Sequence, residues 1–167
     1  MGLILPETLR RRSAGLWWAS LHAGVAAERD RLDLVDELLE RGLDDDRLIA
    51  MFVAGRVPME QLRSVVAERL GWPLPTEAEA AEVLAGAFSE TWSEPGSCGR
   101  YAATQIYALY VAADYSSRKL GDLCGDLEIA LWAMGDGRES RGLRKIAEEA
   151  GVVQDLERFE AACAWPA

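Results

Sequence analysis

The side chains best suited to acid–base chemistry lie in two segments of helical periodicity. His22, the single histidine, is the only imidazole available as a general base. Tyr107, Tyr110 and Asp114 occupy a later segment, where a spacing of four residues lets the Tyr110 hydroxyl meet the Asp114 carboxylate. Together these residues would form a tyrosine-lined ligand pocket or, more weakly, a catalytic site. The simpler interpretation is a core helix with polar tips, in which Arg118 pairs with Asp114.

A stripe of carboxylates could instead bind a divalent cation. Asp33, Glu37 and Glu40 share one helical face, and the ExxE form of Glu37 and Glu40 is one that holds Mg²⁺ in all-α nucleotide pyrophosphohydrolases. Those enzymes need a second acidic pair soon afterwards, and the next one here, Glu79 and Glu82, is too distant in sequence. Interleaved arginines also favour a solvated face. We therefore expect neither a metal nor another cofactor.

Composition excludes several functional classes. The chain has 167 residues, 28 acidic against 18 basic side chains, and a net charge of −10. The negative electrostatic field of such a chain repels nucleic acid and anionic membranes. No apolar run approaches the roughly 20 residues that a membrane-spanning helix needs. Three cysteines, Cys98, Cys124 and Cys163, show no CxxC spacing, which fits a reducing cytosol. We expect a cytoplasmic protein with neither a nucleic-acid nor a membrane partner.

One segment resembles a DNA-binding element. Residues 143–152 (LRKIAEEAGV) are similar to the first helix and turn of a bacterial helix-turn-helix. The resemblance implies a recognition helix immediately afterwards. That stretch carries Asp155, Glu157 and Glu160, which would face a polyanion. An alanine-rich helix ending in a glycine cap gives the same pattern, so DNA binding is not the favoured function.

Apolar residues recur at helical spacing almost throughout, and proline and glycine separate the periodic segments. Thr76 and Glu79 match a capping box, while Gly55 and Gly71 are placed to end helices. The expected helices span about 7–29, 30–42, 44–55, 58–71, 76–88, 100–115, 120–134, 143–150 and 152–164.

These segments predict an all-α fold. We expect one domain over residues 1–167, folded as a compact bundle of seven to nine short-to-medium helices. The helix near 100–115 is apolar nearly all round, which predicts that it lies at the centre. The loop 93–99 is the expected internal hinge. The sequence does not fix the oligomeric state and is compatible with a homodimer.

Because the sequence shows no strong catalytic constellation, we expect the protein to act by binding, through its surface charge and shape. Trp72 and Trp92 flank turns and are predicted to be partly exposed anchors. Five glutamates would supply an attractive field for a basic protein partner: Glu77, Glu79, Glu82, Glu90 and Glu94. The favoured function is a small inhibitor, immunity-type or adaptor protein. The alternative is a ligand-binding protein or enzyme, which requires a cavity of a few hundred Å³ beside the tyrosines.

Overall fold

Helices are the only regular structure in the computed structural model, which describes residues 6–91, 99–134 and 140–167. The expectation of an all-α bundle is confirmed for these ranges. The expected hinge, apart from its last residue, lies outside them. The helices are α1 (Glu7–Arg10), α2 (Ala14–His22), α3 (Glu28–Glu40), α4 (Asp46–Ala54), α5 (Met59–Leu70), α6 (Glu77–Thr91), α7 (Gly99–Ala112), α8 (Arg118–Met134), α9 (Ser140–Ala150) and α10 (Val152–Ala162).

The first expected helix is two helices, which raises the total within the described ranges to ten. The chain breaks between α1 and α2 because Ser13 is extended and its hydroxyl oxygen accepts a hydrogen bond from the Leu16 amide at 3.1 Å. Ser13 is thus a helix cap, and helical periodicity alone did not reveal the break before it.

Other helix boundaries follow the signals read from the sequence. The Thr76 amide donates to Glu79 and the Glu79 amide donates to the Thr76 hydroxyl, which completes the capping box of α6. Gly55 and Gly71 adopt left-handed φ values of 62° and 67° after α4 and α5. Glycine takes this conformation without a Cβ clash, so both helices end where expected.

Two apolar clusters share α2, whose residues are all buried. The first joins one side of α2 to α6, α7, α8, α9 and α10. The second joins the other side to α3, α4, α5 and the C-terminal segment. Because α2 contributes to both, it is apolar all round and carries the chain through the middle of the bundle.

The most buried long helix is α6 rather than α7. Residues 83–89 of α6 are buried in succession, whereas α7 exposes Tyr101, Tyr107 and Val111. The prediction that the helix near 100–115 is central is therefore wrong in its placement. Aromatic residues made α7 look apolar on all sides, but tyrosine is stable at a wet surface. The α6 centre depends on Gly86, where a Cβ would lie 2.2 Å from the Val152 carbonyl oxygen of α10.

Candidate functional site

Trp72 is a core residue, so the prediction that it is partly exposed is wrong. Its side chain is 2% exposed, and its indole N–H donates to the Ala164 carbonyl at 2.9 Å. Its ring lies edge-on to Trp18 and to Trp165, with centroids 6.0 and 5.8 Å away. The turn that holds Trp72 folds inward because its indole finds both apolar neighbours and an acceptor there.

Salt bridges neutralise part of the acidic segment expected to attract a partner. Glu82 accepts a hydrogen bond from the Ser117 hydroxyl at 2.6 Å and lies 3.7 Å from the Lys119 ammonium group. Glu90 forms an ion pair with Arg12. These two carboxylates connect α6 to neighbouring elements and contribute less to an external field than sequence alone implied.

Of the remaining members of that set, the structure describes Glu77 and Glu79, both in the first turn of α6. Glu79 serves the capping box described above, and Glu77 is exposed at the first turn of α6. Trp92 and Glu94 lie outside the residues that the structure describes. The described part of the chain therefore shows no tryptophan anchor among these glutamates.

The carboxylate stripe on α3 is largely occupied by arginine. Asp33 lies 2.9 Å from Arg11, Glu37 pairs with Arg41 one turn away, and Glu40 is exposed. Among the described residues, no group of three or more histidine, cysteine, aspartate or glutamate side chains is arranged to hold a metal ion.

A groove of about 720 Å³ lies between α7 and α8. Tyr107 and Tyr110 line one wall, and Glu128 lies on the other. The groove opens to solvent, because Tyr107 is 53% exposed and Glu128 is also exposed. We call it the tyrosine groove, and its lining consists of Arg100, Ala103, Thr104, Tyr107, Tyr110, Gly121, Cys124, Gly125, Leu127 and Glu128.

Two glycines on α8 shape the floor of the tyrosine groove. A Cβ on Gly121 would lie 2.9 Å from the Tyr110 hydroxyl oxygen, whereas a Cβ on Gly125 would meet nothing within 4 Å among the described residues. Gly121 therefore lets the Tyr110 side chain lie against the α8 backbone, and Gly125 leaves open volume. Cys124 lies between them, and burial raises the pKa of its thiol to about 11.

A strained turn holds a third tyrosine, Tyr115, against Tyr110. Asp114 and Tyr115 have positive φ values of 50° and 56°, which non-glycine residues rarely adopt. This turn sets the Tyr115 ring edge-on to Tyr110, with centroids 5.1 Å apart. The charge that Tyr115 would carry, together with its hydrogen bonding, raises the pKa of Tyr107. Backbone strain of this kind is often concentrated at functional sites.

Asp114 does not take the position expected from the sequence. It is exposed, and it makes no side-chain hydrogen bond or ion pair within the described residues. The expected partner, Arg118, lies 3.8 Å from Asp122 instead. The left-handed turn carries Asp114 off the helical path, so its spacing of four from Tyr110 no longer predicts contact.

His22 lines a different cavity, of about 430 Å³, and is not joined to the tyrosines. It is 6% exposed, its ring centroid is 4.4 Å from that of Trp18, and its buried Nε2 has no hydrogen-bond partner among the described residues. Burial, followed by the charge of Arg63, lowers its pKa to about 4. The alternative pocket that combined His22, Tyr107, Tyr110 and Asp114 is therefore divided between two places.

Sequence reasoning missed several residues of these two sites. The α8 residues Gly121, Cys124, Gly125 and Glu128 recur at intervals of three, one and three, which places them along one helical face. A run of small residues on that face was the available signal for a groove. No local signal marked Arg31 and Arg63, because the fold alone brings them to His22.

The segment similar to a helix-turn-helix does form two helices joined at Gly151. The second helix, α10, packs against α6 through its buried residues Val152 and Leu156. Asp155 lies 2.6 Å from Lys119 and 2.7 Å from Arg158. The helix in the recognition position is thus part of the core of the bundle.

The fold and the two cavities define an all-α helical bundle with an open aromatic groove. Comparison with protein-family models, with curated proteins and with solved structures finds no match to this chain. None of the helices in the described ranges combines the length and the apolar character that crossing a membrane requires.

Proposed function

We propose that this chain is a non-catalytic binding protein that takes a basic, apolar segment of a protein partner into the tyrosine groove. The observation that carries this proposal is the groove itself, about 720 Å³ between α7 and α8 and walled by Tyr107 and Tyr110. The expected partner, a basic protein, is unchanged. The proposed docking surface is now the tyrosine groove instead of the surface around Trp72.

The aromatic lining supports recognition of a polypeptide. Tyrosine is enriched at protein interfaces because its ring offers a large apolar area and its hydroxyl offers a hydrogen bond. Tyr107 already presents half of its surface to solvent, and Ile129, which is 70% exposed, lies one turn beyond Gly125. A partner that covered these side chains would remove apolar surface from water.

The net charge of the chain supports a basic partner. The two charged groups of the groove lining, Arg100 and Glu128, balance each other, and Glu128 makes no ion pair within the described part of the chain. The whole chain carries a net charge of −10. A long-range negative field speeds the approach of a basic partner, and an unpaired carboxylate at the contact favours lysine or arginine there.

The length of the groove supports a short segment rather than a globular surface. From Arg100 to Tyr110, α7 rises about 15 Å at about 1.5 Å per residue. An extended chain of about five residues spans that distance at about 3.3 Å per residue. Binding such a segment would occlude or recruit the partner, as an inhibitor, immunity-type or adaptor protein does, and a reducing cytoplasm would keep the Cys124 thiol free.

A peptide selection tests this proposal while the partner is still unidentified. Random peptides displayed on phage are selected on the purified protein and depleted on the Gly125→Leu variant. Leucine at this position fills open volume, since no described residue lies within 4 Å of a Cβ there. We expect the surviving peptides to combine aromatic or aliphatic residues with lysine or arginine.

The control for the selection is depletion on Asp122→Leu, which adds the same side chain at an exposed α8 position outside the groove lining. Because the groove of Asp122→Leu is intact, this variant should capture the groove-binding peptides as the unchanged protein does. Depletion on it should therefore remove those peptides from the pool. Loss of the selected peptides on Gly125→Leu, or a consensus rich in acidic residues, would contradict the proposal.

A further inference from the structure

A second cavity lies at the C-terminal end of α2, away from the tyrosine groove. It has a volume of about 430 Å³ and is bordered by α3, α5 and the segment that leads into α6. Its apolar walls include Leu21, Met59, Leu74 and Pro75. Three polar side chains converge on it, His22, Arg31 and Arg63, and Glu77 lies at its edge.

Within the described ranges, the two arginines of this cavity differ from most others in having no carboxylate partner. Arg11, Arg41 and Arg47, for example, each lie within salt-bridge distance of a carboxylate. Neither Arg31 nor Arg63 makes an ion pair or side-chain hydrogen bond within the residues that the structure describes. Both side chains are half-buried, and neither guanidinium group has a carboxylate partner among the described residues.

His22 is a third polar side chain of the cavity that has no partner among the described residues. It is nine-tenths buried, it lines the cavity, and its imidazole makes no hydrogen bond within the described ranges. Such groups are normally satisfied, because an unpaired polar group in an apolar setting is destabilising. With its pKa lowered to about 4, the imidazole is neutral near pH 7 and can donate or accept one hydrogen bond.

We infer that this cavity is a binding site for a small organic oxyanion, a carboxylate or a phosphate ester with an apolar body. The Arg31 and Arg63 guanidiniums would hold the oxyanion and His22 would hydrogen-bond to it. The planar fork of arginine matches both carboxylate and phosphate oxygens, so the recognition chemistry is shared. The apolar body would lie against Met59 and Leu74.

The charge balance of the cavity fits an anion of this size. Glu77 contributes one negative charge against the two guanidiniums, which leaves an excess of one positive charge. Glu77 is exposed at the first turn of α6 and forms no ion pair with either arginine. The site is independent of the tyrosine groove, and either could be correct without the other.

The single histidine gives a direct test, because its Cε1 proton is one assignable NMR signal. Benzoate, phenyl phosphate and uncharged benzamide are titrated separately into the full chain at constant pH near 7. We expect the His22 signal to move to saturation with benzoate, phenyl phosphate or both, and not with benzamide. Which anion saturates it identifies the oxyanion that the site takes.

Charge variants complete the test. The Arg31→Gln/Arg63→Gln double variant should weaken anion binding by about tenfold or more, since two charge-assisted hydrogen bonds are lost. The matched control is Arg56→Gln, which removes an exposed arginine outside the cavity and should leave binding unchanged. Thermal melts report whether each variant folds.

Three outcomes would overturn the inference. They are no saturable shift with either anion, an equal shift with benzamide, and unchanged binding in the folded double variant.

Discussion

The Tyr110 side chain lies directly against the backbone of Gly121, so close that a Cβ on Gly121 would be 2.9 Å from the tyrosine hydroxyl oxygen. This contact fixes the distance between Tyr110, on one wall of the tyrosine groove, and the α8 backbone that forms the floor. Gly121 is the fourth residue of α8, where a glycine disfavours the helix relative to alanine by up to about 1 kcal/mol. Gly121 therefore lowers the stability of α8 but leaves room for the Tyr110 side chain.

Replacing Gly121 by alanine should move the Tyr110 ring without unfolding the protein. The ring end is free to swing, and the gain in helix propensity offsets the displacement, so we expect the free energy of unfolding to change by less than about 1 kcal/mol. In aromatic ¹H–¹³C spectra the Tyr110 and Tyr115 signals should shift, while Tyr101 stays in place. A Tyr110 signal unchanged by the substitution would contradict this contact.

A pair of glycine-to-alanine substitutions should have effects of opposite sign. Gly86→Ala places a Cβ 2.2 Å from the Val152 carbonyl oxygen and forces α6 and α10 apart. We expect the free energy of unfolding to fall by about 2 kcal/mol. In Gly125→Ala the new Cβ meets no described residue within 4 Å, and the free energy of unfolding should rise by about 0.5–1 kcal/mol. Urea unfolding of both variants measures the difference, and equal effects would refute the α6–α10 packing.

The fold was largely predictable because its signals are local. Capping at Thr76, the glycine stops at Gly55 and Gly71, and apolar spacing all act within one or two turns of helix. Burial was harder to predict. Trp72, beside a turn, was expected to be partly exposed and is enclosed, whereas Tyr107, within an apolar helix, is open to solvent.

The sites depend on contacts that sequence spacing does not encode. Arg31 and Arg63 meet His22 only after α3 and α5 pack around the end of α2. The predicted approach of Asp114 to Tyr110 failed because a left-handed turn begins at Asp114. Spacing predicts neighbours only while the helix continues.

His22 should make the protein less stable in mild acid. Its pKa is about 4 in the folded chain and about 6.5 when unfolded. Below pH 6.5 the unfolded state binds a proton that the folded state does not, so stability falls as pH falls. The loss approaches about 3 kcal/mol by pH 4.

The control for this pH dependence is His22→Phe, which cannot titrate and should flatten the stability curve between pH 6.5 and 4. Hydrogen bonding to Arg47 lowers the pKa of Asp45. The stability that Asp45 contributes should therefore be lost only below pH 3.8, in wild type and in His22→Phe alike. Guanidinium unfolding across this pH range gives the curves. Parallel curves for wild type and His22→Phe would show that His22 is not the cause.

Cys124 should react slowly despite lining an open groove. With a pKa of about 11, its thiol is almost entirely protonated at pH 8. We expect alkylation by iodoacetamide to be roughly tenfold slower than for a free cysteine, and to keep rising through pH 10. Peptide-resolved mass spectrometry follows Cys124 separately from Cys163. A rate that levels off near pH 9 would contradict the buried thiol.

Two tyrosines on α7 offer the most direct test of the proposed docking surface. Tyr107 lines the groove, and Tyr101, on the same helix, does not, yet their exposures are 53% and 52%. A selected peptide is titrated by calorimetry into Tyr107→Ala and Tyr101→Ala. The account predicts that Tyr107→Ala weakens binding by about tenfold or more while Tyr101→Ala changes it by less than about threefold. Equal losses in the two variants, or none with Tyr107→Ala, would contradict it.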